Sequence, residues 1–316
     1  MHDDDERITH LVELGLALAE SGYEFVTVSP ETHRRVEARA AAAGVSHART
    51  VRDVFGWSRP FHAELLPPRI HDAARTADVL VPCESDEGLL RSRVRFSSLR
   101  GHLFAHSAYP TSSMDAVFFG PDTYRYCALI AETLRQGARA RRVVDVGCGS
   151  GAGGIVALEH ADRVVLSDIN DRALLFAEVN ARLAGVLHHA EIRRSDVLGD
   201  VSGPIDVVLA NPPYMVDPTR RAYRDGGGAF GEELAVRIAR EAIDRLSPGG
   251  RLVLYTGAAI VGGVDTFHRA VHAVLDRRVR YTYRELDPDV FGEEIEHNDA
   301  YAAVDRIAAV ALVAER

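Results

Sequence analysis

The sequence predicts an α/β protein: a doubly wound, mostly parallel sheet with an antiparallel last strand, preceded by a small, mostly helical N-terminal region and a β-hairpin. Three observations carry this. Beyond residue 110, five short apolar runs alternate with helical patterns, as in a parallel sheet with crossover helices on both faces. A glycine-rich turn, "GCGSGAGG", follows the first of those runs. The last two runs, "RYTYREL" and "DRIAAVALVAE", have no helical pattern between them, which implies an antiparallel pair.

The elements follow in order. "ERITHLVELGLALAES" spaces Ile8, Leu11, Val12, Leu14 and Leu18 at helical intervals, with Gly22 as a stop. "ETHRRVEARAAAAG" is a second helix pattern, and "TVRDVFGWSRPF" and "PPRIHDAARTADVL" read as shorter helices, the last opening with prolines in its first turn. "LLRSRVRFSSLRGHLFAHSAY" then alternates apolar and polar residues, which predicts one or two hairpins with Gly101 near a turn. "MDAVFFGPDTYRYCALIAETL" reads as a short strand, a Gly-Pro break and a helix. The boundary is placed near residue 110, giving 1–110 as an N-terminal, substrate-recognition domain with its hairpin and 111–316 as the catalytic domain. From there "RRVVDVG", "RVVLSDIN", "AEIRRSD", "PIDVVLANPPY" and "RLVLYTG" are the alternating strands.

Composition removes several classes of function. With 47% apolar residues among 316, the chain can bury a large core. No apolar run reaches the roughly 20 residues of a membrane span. The acidic start, "MHDDDERITH", lacks the order of a secretory signal, so a cytoplasmic location is expected. The net charge of −9 argues against a surface coated for nucleic acid. All 37 basic residues are Arg, which excludes Schiff-base chemistry, a phosphate-loop Lys and a Lys base. Cys83, Cys127 and Cys148 form no C-x-x-C pair and read as small buried thiols. The scattered histidines form no metal signature, and no metal is expected.

The stretch "VVDVGCGSGAGG" sets Asp145, Gly147, Gly149 and Gly151 where the first strand turns into a helix. Glycines there permit positive φ and close approach of a ligand to the backbone. Asp168 ends the next strand, about 20 residues on, where a carboxylate can accept both hydroxyls of a ribose. A dinucleotide cofactor fits this much equally well. Asp196, at the end of the third strand, can accept from the exocyclic amine of adenine or cap a helix.

Together these residues resemble the class I S-adenosylmethionine (SAM) methyltransferases. The resemblance implies that Gly147, Gly149 and Gly151 hold the methionine portion, with Asp145 in the same motif, that Asp168 holds the ribose and that Asp196 holds adenine. After the fourth strand comes "LANPPYM". Asn211-Pro212-Pro213-Tyr214 resembles the motif of SAM-dependent N-methyltransferases that act on planar nitrogens: glutamine side chains, adenine N6 and guanine N2. Such a nitrogen is a poor nucleophile because its lone pair is delocalised. Asn211 Oδ1 and the Pro212 carbonyl can accept its two N–H bonds, while Tyr214 offers a face for a flat group. The two prolines fix these acceptors, so catalysis is largely positioning. Asn211 also faces the cofactor in this reading, and Pro213 and Tyr214 face the substrate.

Two further stretches are similar to HemK/PrmC-type glutamine methyltransferases. "FFGPDTYRY" places Pro121, Asp122 and Thr123 at that group's Pro-Glu-Thr segment, with Gly120 where the group has Arg, and Pro121 and Thr123 are taken as substrate-binding. "RDGGGAFGEEL" is similar to the glycine-rich segment after Asn-Pro-Pro-Tyr and is expected to act as a lid or substrate-shaping loop. The N-terminal helices match nothing in the group. The expected reaction is therefore methyl transfer from SAM to a planar nitrogen. A polypeptide glutamine is the favoured acceptor; a nucleic-acid base, a small-molecule amine or amide, and a SAM-binding protein without catalysis are the alternatives. No membrane partner is expected. Arg91, Arg93, Arg95 and Arg100 could contact phosphate or form a solvated hairpin face. Trp57, Phe55 and Phe61 read as core, and "FGEEIEHNDAY" as a solvated loop.

Overall fold

The computed structural model describes residues 2–83, 88–221, 223–275 and 279–316. Its N-terminal region holds α1 (His2–Glu20), α2 (Pro30–Ala42), α3 (Val51–Phe55) and α4 (Pro68–Thr76). Local chemistry fixes their starts. Ser29 caps α2 by accepting from Thr32 N at 3.2 Å, and Thr50 and Asp53 form a reciprocal capping box on α3. Strands β1 (Leu80–Pro82) and β2 (Leu90–Ser92) pair, and β3 (Val94–Leu99) and β4 (His102–Ser107) form a hairpin. Arg100 and Gly101 turn that hairpin with φ of 50° and 81°, the conformation a tight two-residue turn requires.

The remainder comprises α5 (Pro121–Arg135), β5 (Ala140–Val146), α6 (Ala152–Ala157), β6 (Ala161–Asp168), α7 (Asp171–Leu183), β7 (Ala190–Arg194), β8 (Ile205–Ala210), α8 (Glu233–Arg245), β9 (Leu246–Val261), β10 (Val264–Asp265), α9 (Thr266–Val274), β11 (Arg280–Asp287), α10 (Gly292–His297) and β12 (Arg306–Glu315). The sheet order is β11-β12-β9-β8-β5-β6-β7, with β10 folding back on β9. The five strands from β7 to β9 are mutually parallel, and β12 runs antiparallel between β9 and β11. The expected antiparallel last strand is present. It lies inside the sheet, and β11 is the edge. The order reverses between β5 and β8, so the crevice at their carboxyl ends is where such sheets bind ligands.

Both faces are covered, which is why the strands read as continuous apolar runs. Val143, Leu166, Leu209 and Val253 pack toward α5 and α6. Val144, Val165, Val208 and Leu252 pack toward α8 and α9. Helix α7 is shared: Ala177 and Ala181 face the sheet core, and Ala173, Phe176 and Val179 face the N-terminal helices. Fully buried Asn180 on α7 accepts from Ala105 N at 2.7 Å and donates to Ala105 O at 3.0 Å and Ser150 O at 2.9 Å. It thereby ties the hairpin to the glycine turn.

Several expectations are corrected. Residues 114–119 form no strand. The segment expected as a solvated loop carries α10 and buried Tyr301, whose hydroxyl accepts from Val216 N at 2.7 Å. The hairpin arginines do not share one face. Arg95 is fully buried, its guanidinium 3.6 Å from the Tyr109 ring, and Arg100 pairs with Glu159 at 2.7 Å. Trp57, Phe55 and Phe61 pack in the N-terminal core as expected. Among the described residues no helix is long and apolar enough to cross a membrane, and no three His, Cys, Asp or Glu side chains converge on a metal position.

Candidate active site

One pocket opens at the carboxyl ends of β5, β6, β7 and β8. It is lined by Gly147 and Gly149, by Asp168 and Ile169, by Asp196 and Val197, and by Asn211 through Met215. The far rim comes from outside the sheet, from Pro30, Thr111, Phe118, Tyr223 and Phe291.

The glycine side is built from the backbone. Gly147, Gly149 and Gly151 have φ of 65°, 54° and 77°, which side chains rarely adopt. A side-chain carbon added at Gly147 would meet nothing within 4 Å, so its backbone is open to a ligand. Gly151 serves packing instead, because a Cβ there would press Leu166 and Ala177 at 3.2 and 3.3 Å. Asp145 lies beneath the turn. Its carboxylate accepts from Tyr126 Oη and Gly154 N, each at 2.8 Å. Burial raises its pKa to about 7, against the opposing effect of those bonds. Asp145 therefore shapes the turn and is not among the residues of the pocket wall. Pro121 and Gly151 are likewise absent from the pocket wall, while Thr123 is on it.

Asp168 accepts from Gly149 N at 3.0 Å through Oδ2 and from Asn170 N at 2.9 Å through Oδ1. Each oxygen keeps a second lone pair for a ligand hydroxyl, and burial raises the carboxyl pKa. Ile169 beside it is 52% exposed, an apolar side chain left open at the pocket edge. Asp196 begins a turn and caps no helix. Its two oxygens accept from Arg237 at 2.9 and 2.8 Å. Cys148 also lines the pocket, but burial pushes its thiol well above the usual range, which leaves it a poor nucleophile.

The Asn-Pro-Pro-Tyr side is built from side chains and distant segments. Among the described residues the Asn211 amide makes no hydrogen bond. The Tyr214 ring lies against Gly257, where a Cβ would sit 2.2 Å from Cδ2. Its hydroxyl donates to buried Asp122, which also accepts from Tyr255 Oη at 2.6 Å. Burial, reinforced by Asp122, pushes the Tyr214 phenol well above its ordinary value. The segment after the motif is clamped: Met215 N donates to Arg224 O at 3.0 Å and Gly226 N to Met215 O at 2.9 Å. A Cβ on Gly231 would meet Tyr214 O at 2.0 Å. The glycine-rich loop expected as a lid is thus packed backbone to backbone against the motif.

Asp122 was matched to the Pro-Glu-Thr segment in the sequence but given no role. Tyr255 and Asn180 went unassigned, and nothing local marks them. Phe118 and Tyr223, nearly parallel at 6.4 Å, and Phe291 were also missed as pocket walls.

Residues 113–260 match the family model described as "Methyltransferase small domain". The chain is 32% identical over 176 residues to a release factor glutamine methyltransferase of Deinococcus radiodurans, covering 52% of this chain and 62% of that one. It is 38% identical over 118 residues to ribosomal RNA small subunit methyltransferase C of Chromohalobacter salexigens, covering 37% and 32%. In both cases the chain spans less than two thirds of the relative's length. Wild-type Trm5b from Pyrococcus abyssi shares the fold, with a TM-score of 0.50 and 15% identity over 80% of this chain and 68% of that one. This is the class I methyltransferase fold, and the chain is similar to SAM-dependent methyltransferases of the HemK/PrmC type.

Proposed function

We propose that this chain, whose residues 113–260 carry a methyltransferase domain, transfers a methyl group from SAM to a planar nitrogen, with a polypeptide glutamine side chain as the favoured acceptor. One observation carries the reading: the unengaged Asn211 amide shares a single pocket with the open glycine backbone and Asp168. The residues fit the donor. The Gly147–Gly149 backbone would hold its methionine portion, Asp168 its ribose hydroxyls, and Asp196, Ile169 and Val197 its adenine. When bound, SAM supplies an electrophilic methyl group on a sulfonium.

The chain's own part is positioning. Asn211 Oδ1 and the Pro212 carbonyl accept the two N–H bonds of the acceptor, which turns its lone pair out of conjugation and toward the donor side. Tyr214 limits the acceptor's tilt through one ring face, the other being covered by Gly257. Pro213 and Thr123 border the acceptor. Residues 1–110 are read as its recognition region, supported by Pro30 at the rim, and a cytoplasmic site of action belongs to the same reading.

An RNA base is the second reading, favoured by a groove that shares Thr111 and Ala116 with the pocket and carries Arg7, Arg91, Arg93 and Arg172, although Asp4, Asp78, Asp115 and Asp171 line the same groove. The net charge of −9 opposes it. Incubation with methyl-labelled SAM against separated protein, RNA and small-molecule fractions tests both. Label in protein glutamine supports the first reading. Label in RNA, with affinity falling steeply as salt rises, replaces it with the second, and label in the small-molecule fraction overturns both.

A further inference from the structure

Three segments far apart in the chain meet at Asp122, and Arg125 links it to a fourth. It sits in the first turn of α5, 6% exposed, where the helix dipole favours a carboxylate. It accepts from Tyr214 Oη of the Asn-Pro-Pro-Tyr motif, from Tyr255 Oη of β9 at 2.6 Å and from Arg125 Nη1 at 3.2 Å. Arg125 reaches on to Asp287 at the end of β11 with Nη2 at 2.5 Å, and Asp287 Oδ1 accepts from Asp289 N at 3.2 Å. The strap that begins there carries Phe291, which lines the pocket and faces Tyr214 with ring centroids 6.2 Å apart. Two of the three donors around Asp122, Tyr214 directly and Arg125 through Asp287, therefore lead to walls of the acceptor pocket, and none of the three contacts the glycine turn.

We infer that Asp122 is the positioning residue of the acceptor half: it holds the Asn-Pro-Pro-Tyr corner through Tyr214 and the Phe291 strap through Arg125 and Asp287. This rests on the reading of the corner as the acceptor site. A carboxylate suits the task because it accepts from three donors at once, whereas an amide must present a donor to one of them. Loss of that carboxylate leaves both walls free to shift relative to the donor, and a misplacement of about 1 Å costs on the order of a hundredfold in rate.

The test is Asp122→Asn, with hydrogen exchange of the whole chain as the readout that needs no acceptor. Exchange should rise about tenfold or more in peptides covering residues 209–216 and 284–291, while residues 143–170 stay within about twofold. Arg125→Met should loosen 284–291 alone, and serves where Asp122→Asn fails to fold. With the cell fraction that takes label from the wild type, kcat should fall on the order of tenfold to a hundredfold while the KM for SAM changes less than about threefold. Tyr214→Phe should lose less, and adding it to Asp122→Asn should cost no more than Asp122→Asn alone. Unchanged exchange at 284–291, or additive losses, would overturn the inference. A wild type that methylates no fraction would remove the acceptor reading, while the exchange pattern would still decide whether Asp122 joins the two walls.

Discussion

The glycine wall and the Asn-Pro-Pro-Tyr wall face each other across one pocket, yet they are held by different means. The first is supported mainly by near neighbours in the chain. Asp168 binds backbone amides 2 and 19 residues away, and Asp145 one 9 residues away. The second is held by side chains that meet across long separations: 92 residues from Asp122 to Tyr214, 133 from Asp122 to Tyr255 and 85 from Val216 to Tyr301. A local wall depends on strand and turn formation alone. A wall of distant partners exists only once the sheet, α5 and the strap have all assembled.

Substitutions at the two walls should therefore fail differently, and the largest effect belongs to the acceptor side. Asn211→Ala should lower methyl transfer by about a hundredfold to a thousandfold, the scale of removing one positioned polar group, while SAM binding persists. Calorimetry for binding and a labelled-methyl assay for transfer check the two halves separately, and a parallel loss of binding would merge the walls into one.

Asn180→Ala attacks the tie between the N-terminal hairpin and the glycine turn. It leaves Ala105 N, Ala105 O and Ser150 O without their partner. The expected cost is about 3 kcal/mol of stability, as for buried groups left unpaired, read by denaturant unfolding. A loss below about 1 kcal/mol would mean that the hairpin is not braced through α7.

Asp145 makes the glycine wall sensitive to pH. Its folded pKa of about 7 is raised above the usual carboxylate value. Its contribution to stability is thus full below about pH 4 and lost as pH rises through about 7. Subtracting the unfolding curve of Asp145→Asn should isolate a fall on the order of 2 kcal/mol between about pH 5 and 7. A flat difference would show that the turn is not supported by a strained carboxylate.

The smallest effect is expected from Asp168→Asn, which keeps an acceptor but loses charge and one acceptor oxygen. SAM affinity should weaken about tenfold, with kcat at saturating SAM nearly unchanged. A kcat effect larger than the affinity effect would place Asp168 in the chemistry.

The same contrast explains what the sequence made legible. The strand and helix order from residue 140 onward follows from apolar runs and periodicity, and the glycine turn with Asp168 follows from local spacing. Asn211 through Tyr214 stood out because two prolines after an apolar run have few other uses. The supports of that corner were invisible, since nothing near Asp122 announces a partner 133 residues away, and nothing near Gly231 announces the carbonyl it must clear. Asp145 stood out as part of the glycine motif, but its buried partners Tyr126 and Gly154 could not be read from that spacing. Arg95 was misread for a related reason: an arginine in an alternating strand looks solvated until Tyr109 covers it.

A crystal structure with SAM bound tests the shared pocket most directly. The donor's sulfonium methyl should point at the space in front of Asn211 Oδ1 and the Pro212 carbonyl, with the ribose on Asp168. A donor seated elsewhere, or with its methyl turned away from that corner, would contradict it.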